Sequence, residues 1–287
     1  MKSIKYFFQF ICIIFLFLVF KILGLKFASI LSGNIFKLIG PIFRSNKIVF
    51  SNLEIAYPDI SEKEKKQISK KMWFNYGRIF AEYIFIKDFR QNDKYSKKIL
   101  IENEDILEKI KKNNEQVIFV SGHFNNFELM AMQIEKFGIE LTALYRPLNN
   151  HFLNPIMENI RKKYICKTQI KKGISGTKDL LLNFKKGSSI ALMIDQRVSQ
   201  GIRSNLFNKE ALTTTIPAQF IKKYKTKIVP VYIERSKEVF FKIKFFEPVE
   251  FSMESSIEEI TLKLNKILES MITKNPDQWI WTHNRWK

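Results

Sequence analysis

The chain has 287 residues, of which 46% are hydrophobic and 27 are Phe, so it has enough apolar surface to form a folded core. Its 48 basic and 28 acidic residues give a formal net charge of +20, which favours an anionic partner: nucleic acid, a membrane surface, or an acidic carrier or substrate. No RNA-recognition, zinc-finger or helix-turn-helix signature is present, which argues against nucleic acid, and part of the charge is compositional because Lys far outnumbers Arg.

The first segment predicts a membrane anchor. Residues 6–25 are apolar apart from Gln9, Lys21 and Gly24. Twenty helical residues at about 1.5 Å each reach roughly 30 Å, which is the thickness of a bilayer core. A cleaved signal peptide is the alternative, but no small-x-small cleavage site follows the apolar stretch. Lys and Arg are more frequent after the span than before it, which predicts a single-pass protein with its body on the cytoplasmic side.

A second apolar segment follows the anchor. Residues 27–43 are rich in Ile, Leu and Phe and end near Gly40-Pro41, which predicts a helix lying on the membrane surface. The chain therefore divides into an anchor at residues 1–26 and a single body at residues 27–287 that includes this membrane-associated segment.

The rest of the body alternates between predicted helices and strands. Ser61 with Glu64 three residues later forms a capping box, which predicts a helix that begins there and runs to about Phe89. Beyond residue 100, buried runs alternating with helices predict a mixed, mainly parallel sheet flanked by helices, with ligands bound at the carboxyl ends of the strands. The predicted strands are 117–121, 141–145, 190–195, 228–233 and 239–246, and the predicted helices are 127–137, 155–164, 177–184, 214–224 and 257–272.

The segment 117–130 carries the clearest chemical pattern. A buried strand ends at Ser121, a turn carries His123, and a helix that contains Glu128 begins near Phe127. If the turn folds back, the Glu128 carboxylate can hold one imidazole nitrogen as N–H, which leaves the other free to take a proton from an attacking hydroxyl. The alternative is that His123 only caps a turn and that Glu128 is a solvated helix residue, since one His-x4-Glu pair is a weak signal.

Other chemistries find less support in the sequence. A serine hydrolase would need a nucleophile, and no G-x-S-x-G elbow is present. Cys166 has no His nearby in sequence, which favours a buried structural thiol. Two cysteines and three scattered histidines build no zinc site, so no metal or organic cofactor is expected.

Six blocks of the sequence form a recognisable set: Gly122-His123-Phe124-Asn125-Asn126-Phe127-Glu128, Asn52-Leu53-Glu54-Ile55-Ala56-Tyr57-Pro58, Tyr145-Arg146-Pro147 with Asn149, Arg161, Asp195-Gln196, and the ending Pro276–Lys287. These motifs resemble the late acyltransferases of lipid A biosynthesis, within the lysophospholipid acyltransferase superfamily. The resemblance runs through nearly the whole chain, anchor included, and its most specific blocks are the one that contains His123 and the ending.

The resemblance implies a fold like that of glycerol-3-phosphate acyltransferase and a place at the inner membrane. It implies transfer of a fatty-acyl group from acyl carrier protein, or from acyl-CoA, to a hydroxyl of a phosphorylated glycolipid, the lipid A precursor. His123 becomes the general base and Glu128 its orienting partner. The expected substrate-binding residues are Arg146 and Arg161, as phosphate or oxyanion ligands, with Asn126, Asp195, Gln196 and Arg285.

Two departures from the family pattern leave the acceptor open. Phe127 stands where Trp is common, and Asn208 stands where Gly is usual. An acyltransferase for a glycosylated phospholipid or an aminolipid is one alternative, and a non-catalytic basic protein that binds anionic lipid is another. Three Trp within the last nine residues favour packing or an interfacial belt over substrate contact in that segment.

Overall fold

A computed structural model describes residues 2–287, with Ile174 described in its backbone only. The first half of the chain is mostly helical, and the second half alternates between strands and helices. The α-helices are α1 (Lys2–Phe43), α2 (Asn46–Ala56), α3 (Glu62–Glu82), α4 (Ile86–Gln91), α5 (Asp93–Ser96), α6 (Glu104–Lys112), α7 (Glu128–Lys136), α8 (Asn154–Tyr164), α9 (Ile174–Lys185), α10 (Ile216–Tyr224) and α11 (Ile257–Lys274).

A seven-stranded sheet forms the centre of the body. Its strand order is β1-β9-β8-β2-β5-β3-β4, and every neighbouring pair is parallel except β8 with β9. A separate antiparallel hairpin joins β6 to β7. The strands are β1 (Ile99–Glu102), β2 (Val117–Ser121), β3 (Leu141–Tyr145), β4 (Thr168–Lys171), β5 (Ser189–Met193), β6 (Ile202–Leu206), β7 (Lys209–Thr213), β8 (Lys227–Lys237) and β9 (Phe240–Phe245).

The central strands β2 and β5 position the site. Every residue of β2 is buried, as expected for a strand covered by helices on both faces. Ser121 at the end of β2 is in register with Met193 at the end of β5. Residues that follow these two strands therefore emerge side by side at one edge of the sheet.

Helix α1 kinks at Gly24, where φ is 74° and ψ is 163°. By length and composition it is the one helix of the described chain that could cross a membrane. It lies against the body on both sides of the kink: before it Lys21 pairs with Asp88 at 2.6 Å and Phe7 contacts Phe152 with ring centroids 5.6 Å apart, and after it Lys26 pairs with Glu238 at 2.8 Å. The faces of α1 that point away from the body remain apolar and exposed.

Small residues let the second part of α1 approach α3 closely. A Cβ added at Gly40 would lie 2.3 Å from the Trp73 ring, and one added at Gly77 would lie 2.4 Å from the Ser32 carbonyl oxygen. These glycines are therefore required by the packing of the two helices rather than by their own backbone angles.

The mixed, mainly parallel sheet flanked by helices is confirmed. The capping box at Ser61 is also confirmed, since Ser61 and Glu64 satisfy each other's backbone N–H groups at the start of α3. The helix expected to reach Phe89 is broken by a 3-10 turn at Tyr83–Phe85. The division at residue 26 stays a prediction, and the kink at Gly24 lies two residues before it.

Candidate active site

The turn between β2 and α7 holds His123 against Asp195, which follows β5. The backbone N–H of His123 donates to Asp195 Oδ2 at 2.7 Å, and ring Nδ1 lies 2.7 Å from Oδ1 of the same carboxylate. Trp279 Nε1 donates a third hydrogen bond to Oδ2 at 2.9 Å. With Asp195 only 3% exposed, these contacts fix both the position and the tautomer of the imidazole: Nδ1 carries the proton and Nε2 is free.

The two partners shift each other's pKa. Burial works to lower the pKa of His123, but the negative charge of Asp195 and its hydrogen bond outweigh burial, so the pKa lies above its ordinary value. Burial would raise the pKa of Asp195, but His123 and the three hydrogen bonds bring it down to about 2. Asp195 is therefore ionised at any physiological pH.

The free nitrogen of His123 faces a cavity. The imidazole side chain keeps 19% exposure, and its Nε2 lies 3.5 Å from the Gln196 amide nitrogen. The Phe127 ring packs edge-on against the imidazole with centroids 4.7 Å apart. Because His123 and Gln196 both line the cavity, a ligand in the cavity can reach Nε2.

The sequence had suggested that Glu128 contacts the imidazole, but the carboxylate that does so is that of Asp195. Glu128 begins α7 and faces α8, where Arg161 donates to its Oε1 from Nε at 2.8 Å and from Nη2 at 2.7 Å. Because Asp195 already holds Nδ1, a second carboxylate has no ring N–H left to accept. Glu128 still lines the same cavity as His123, and its charge also raises the pKa of the imidazole.

A buried ionic network supports the turn from behind. Arg235 donates to both Glu82 oxygens, at 2.7 and 2.9 Å, and to Asn125 Oδ1 at 2.9 Å. Asn125 needs this support because its φ is +42°, in the left-handed region. Asn126 is fully buried and donates to Glu82 at 3.3 Å, so it belongs to this network and does not line the cavity as expected of a substrate-binding residue.

The cavity beside His123 has a volume of about 830 Å³, within the usual size range of ligand pockets. Its wall combines apolar residues from α7, β3, β5 and α10 with polar groups at the rim. The apolar lining residues are Phe127, Ala131, Ala143, Leu144, Ile165, Ala191, Leu192, Met193, Val198 and Ile216.

Four cations line the cavity, and Glu128 balances only one of them. Arg161 is the paired one, whereas Arg146, Lys172 and Arg197 make no ion pair among the described residues. The Lys172 backbone N–H donates to the Tyr145 carbonyl at 2.8 Å, which places Lys172 beside Arg146. Burial and the Arg146 charge lower the pKa of Lys172. This excess of positive charge favours an anionic ligand.

The C-terminal segment closes the site. His283 lines the cavity, burial lowers its pKa, and its Nδ1 has no hydrogen-bond partner among the described residues. Arg285 does not line the cavity: it is fully buried and donates to the Leu212 carbonyl at 2.8 Å and to Thr213 Oγ1 at 2.7 Å. The expectation that Arg285 contacts substrate is therefore replaced by a packing role.

The structure brings together five of the eight expected site residues around one cavity: His123, Glu128, Arg146, Arg161 and Gln196. A sixth, Asp195, holds the imidazole from behind. Sequence reasoning missed Lys172, Arg197 and His283. Nothing in the sequence distinguishes Lys172 and Arg197 from the other basic residues of a chain that has 48 of them. His283 lies in the matched terminal block, but that block was predicted to pack rather than to contact substrate.

Comparison with known proteins gives one consistent result. The family described as bacterial lipid A biosynthesis acyltransferase matches residues 1–287. The lipid A biosynthesis lauroyltransferase of Escherichia coli K12 is 25% identical over 254 residues, which cover 85% of this chain and 79% of the relative. The E. coli lipid A biosynthesis myristoyltransferase is 22% identical over 242 residues (83% and 73%), and lipid A biosynthesis acyltransferase 2 of Shigella flexneri is 21% identical over 236 (80% and 74%).

Proposed function

This chain belongs to the bacterial lipid A biosynthesis acyltransferase family, and we propose that it transfers a fatty-acyl group from acyl carrier protein to a hydroxyl of a lipid A precursor. The observation that carries the proposal is the Asp195–His123 pair, whose free Nε2 faces a cavity that is apolar inside and cationic at its rim. The apolar interior suits the acyl chain of the donor, and the cationic rim suits the phosphate of the acceptor.

The proposed reaction is direct acyl transfer without a covalent enzyme intermediate. His123 Nε2 takes the proton of the acceptor hydroxyl as its oxygen attacks the thioester carbonyl. The tetrahedral intermediate collapses, the carbon–sulfur bond breaks, and the imidazolium returns the proton to the departing thiolate. Asp195 stabilises the imidazolium in between, since a carboxylate held at Nδ1 interacts most strongly with the charged ring.

Arg161 is the proposed ligand of the oxyanion. Glu128 engages its Nε and Nη2, which fixes the guanidinium at the cavity wall and leaves Nη1 unengaged by that carboxylate. A fixed positive charge beside the reacting carbonyl stabilises the negative charge that develops on oxygen. Glu128 acts in this proposal as a positioning residue, through Arg161, and Gln196 offers an amide beside Nε2.

Arg146 and Lys172 are the proposed phosphate ligands. They lie side by side at the rim with no carboxylate between them, an arrangement that a phosphate dianion would neutralise. The overall charge of +20 would also attract an acidic carrier protein.

Replacing Arg146 or Lys172 by Gln should raise KM for the acceptor and leave kcat nearly unchanged. One lost charge-assisted contact weakens binding by about 1.5–3 kcal/mol, or roughly ten- to a hundredfold. Steady-state kinetics at several salt concentrations measure the effect, which should shrink as salt screens the wild-type contact. Lys185→Gln, an exposed lysine outside the cavity, is the matched control. A fall in kcat with unchanged KM would contradict the phosphate role.

Two other functions compete with acylation of a lipid A precursor: acylation of another lipid, and a non-catalytic role as a basic membrane-binding protein. Mass spectrometry of lipid A from cells with and without the gene separates them. We expect lipid A to lack one acyl chain without the gene, and a gene carrying His123→Ala not to restore it. Unchanged lipid A with one acyl chain missing from another lipid would indicate the first alternative, and restoration by the His123→Ala gene the second.

We also propose that α1 anchors the protein at the inner membrane as a single pass, with the body on the cytoplasmic face. This orientation places residue 3 on the periplasmic side, so the contacts of Tyr6 and Phe7 with residues 150–152 must open when α1 crosses the bilayer. A Ser3→Cys, Cys12→Ser variant should then react with a membrane-impermeant thiol reagent in spheroplasts, since Cys166 is fully buried and stays silent. Labelling only after permeabilisation would show instead that α1 lies in the membrane plane, as its contact with Phe152 would allow.

A further inference from the structure

A second cavity lies between the last part of α1 and the first half of α3, and the active site uses none of its residues. It is a groove of about 640 Å³. Phe74 gives it an apolar wall, and the other lining residues are polar or charged. Five of them are lysines, Lys37, Lys63, Lys66, Lys70 and Lys71, which we call the basic groove.

The lysines of the basic groove are not neutralised by the protein. Among the described residues, none of the five makes an ion pair. The nearby acids are already engaged: Glu54 and Glu62 both pair with the buried Lys65, and Glu64 accepts hydrogen bonds from Ser61. The α3 lysines recur at helical spacing, so their charges project from one side of that helix. The groove therefore carries up to five unit charges open to an anion.

The basic groove also lies beside an apolar surface. The side of α1 opposite α3 exposes Phe27 (69%), Leu38 (75%) and Ile42 (80%), whereas Lys37 and Asn34 lie on its flank and line the groove. An apolar helix face with cations along its edge places those cations at headgroup depth when the face enters lipid. The groove would then open at the membrane surface rather than into the cytoplasm.

The basic groove is too far from His123 to serve the reacting groups. Lys71, the groove lysine nearest to Glu82 along the chain, precedes it by 11 residues on the same helix. At about 1.5 Å per residue this is roughly 16 Å along α3, and Glu82 is the residue that touches the catalytic turn. A headgroup held in the groove therefore cannot reach Nε2, which separates this site from the active site.

We propose that the basic groove binds the headgroup of an anionic phospholipid and so fixes how the body rests on the membrane. The lysines neutralise the phosphate, Asn34 and Gln67 offer amides to the polar headgroup, and Phe74 covers the adjoining glycerol and first methylenes. The inference does not depend on the acyl-transfer reaction, because it concerns different residues and a ligand that is not consumed.

The test uses the full chain in zwitterionic detergent, titrated with short-chain phosphatidylglycerol or phosphatidylcholine. A ligand of the folded state raises the unfolding temperature as its concentration exceeds Kd. We expect phosphatidylglycerol to raise it and phosphatidylcholine to leave it unchanged. In Lys66→Gln, Lys70→Gln, Lys71→Gln, the phosphatidylglycerol concentration needed for the same rise should increase on the order of a hundredfold. The control Lys112→Gln, Lys185→Gln, Lys186→Gln removes equal charge from exposed sites and should respond like wild type.

Three results would overturn the proposal. One is an equal response to both lipids, and another is a wild-type response from the groove variant, which would place the lipid elsewhere, including the active-site cavity. The third is that acidic carrier protein, not phosphatidylglycerol, gives the response that the groove variant loses. Acyl transfer is measured separately in the same detergent and should be unchanged in the groove variant, so failure of the proposed reaction and failure of the lipid site are distinguished.

Discussion

Replacing His123 by alanine is expected to lower kcat for acyl transfer by about 10²–10⁴-fold, while KM for the phosphorylated acceptor changes little. Among the described residues, His123 is the only imidazole at the cavity that a carboxylate holds at Nδ1, which leaves its Nε2 free; the cations that we assign to acceptor binding are separate side chains. The loss should therefore fall on the chemical step. Steady-state kinetics with an acyl carrier protein donor measure it.

The other histidines supply the controls for this variant. His151 lies outside the cavity in the loop that contacts α1, so His151→Ala should keep near-normal turnover. His283 lines the cavity but has no carboxylate partner, so His283→Ala should cost less than His123→Ala. An enzyme that kept most of its kcat without His123 would exclude the general-base mechanism.

Replacing Asp195 by asparagine is expected to lower kcat by about 10²–10⁴-fold and to shift the pH dependence as well. The amide is nearly isosteric but carries no charge to stabilise the imidazolium, and it no longer enforces the tautomer that frees Nε2. Asp179→Asn removes an exposed carboxylate outside the cavity and should behave like wild type.

The direction of the pH shift follows from how Asp195 changes the pKa of His123. A general base works when neutral, so kcat/KM should be low below the pKa of His123 and rise as pH passes through it. The charge of Asp195 raises that pKa, whereas burial lowers it. Without the charge the pKa falls, so the acidic limb of the profile should move to lower pH in Asp195→Asn. An unmoved limb would show that Asp195 does not set the protonation of the base.

The central fold could be predicted because its strands are buried on both faces and read as continuous apolar runs. Val117–Ser121 and Leu141–Tyr145 have the predicted bounds. The strands that sequence reasoning missed, Ile99–Glu102 and Thr168–Lys171, lie at the two edges of the sheet. Both strands have only four residues and are partly exposed, and Thr168–Lys171 is mostly polar, whereas the apolar run Ile99–Ile101 is too short to distinguish a strand from a helix.

The hairpin of β6 and β7 was missed for a different reason. Its turn residues Phe207 and Asn208 have φ of +51° and +58°. Two consecutive left-handed residues form the tight turn that suits a hairpin, but a Phe gives no turn signal in sequence. The same geometry explains the departure at Asn208: Asn is the residue that tolerates this conformation best after Gly.

The partner of His123 could not be predicted from spacing. Glu128 is five residues from His123, whereas Asp195 is seventy-two residues away and reaches the imidazole only because β2 and β5 are neighbours in the sheet. Sequence proximity favoured the wrong carboxylate for that contact. The matched block with Asp195 and Gln196 identified both as site residues. It did not indicate that Asp195 contacts Nδ1 of His123 and that Gln196 lies beside Nε2.

The most direct test of acyl transfer is a mass measurement on a defined reaction. The purified chain in detergent is incubated with fatty-acyl carrier protein and a lipid A precursor that has a free hydroxyl. We predict that the acceptor gains the mass of one acyl group, that free carrier thiol appears in equal amount, and that His123→Ala forms neither product at a comparable rate. Free fatty acid with no gain in acceptor mass, or equal product from wild type and His123→Ala, would contradict the account.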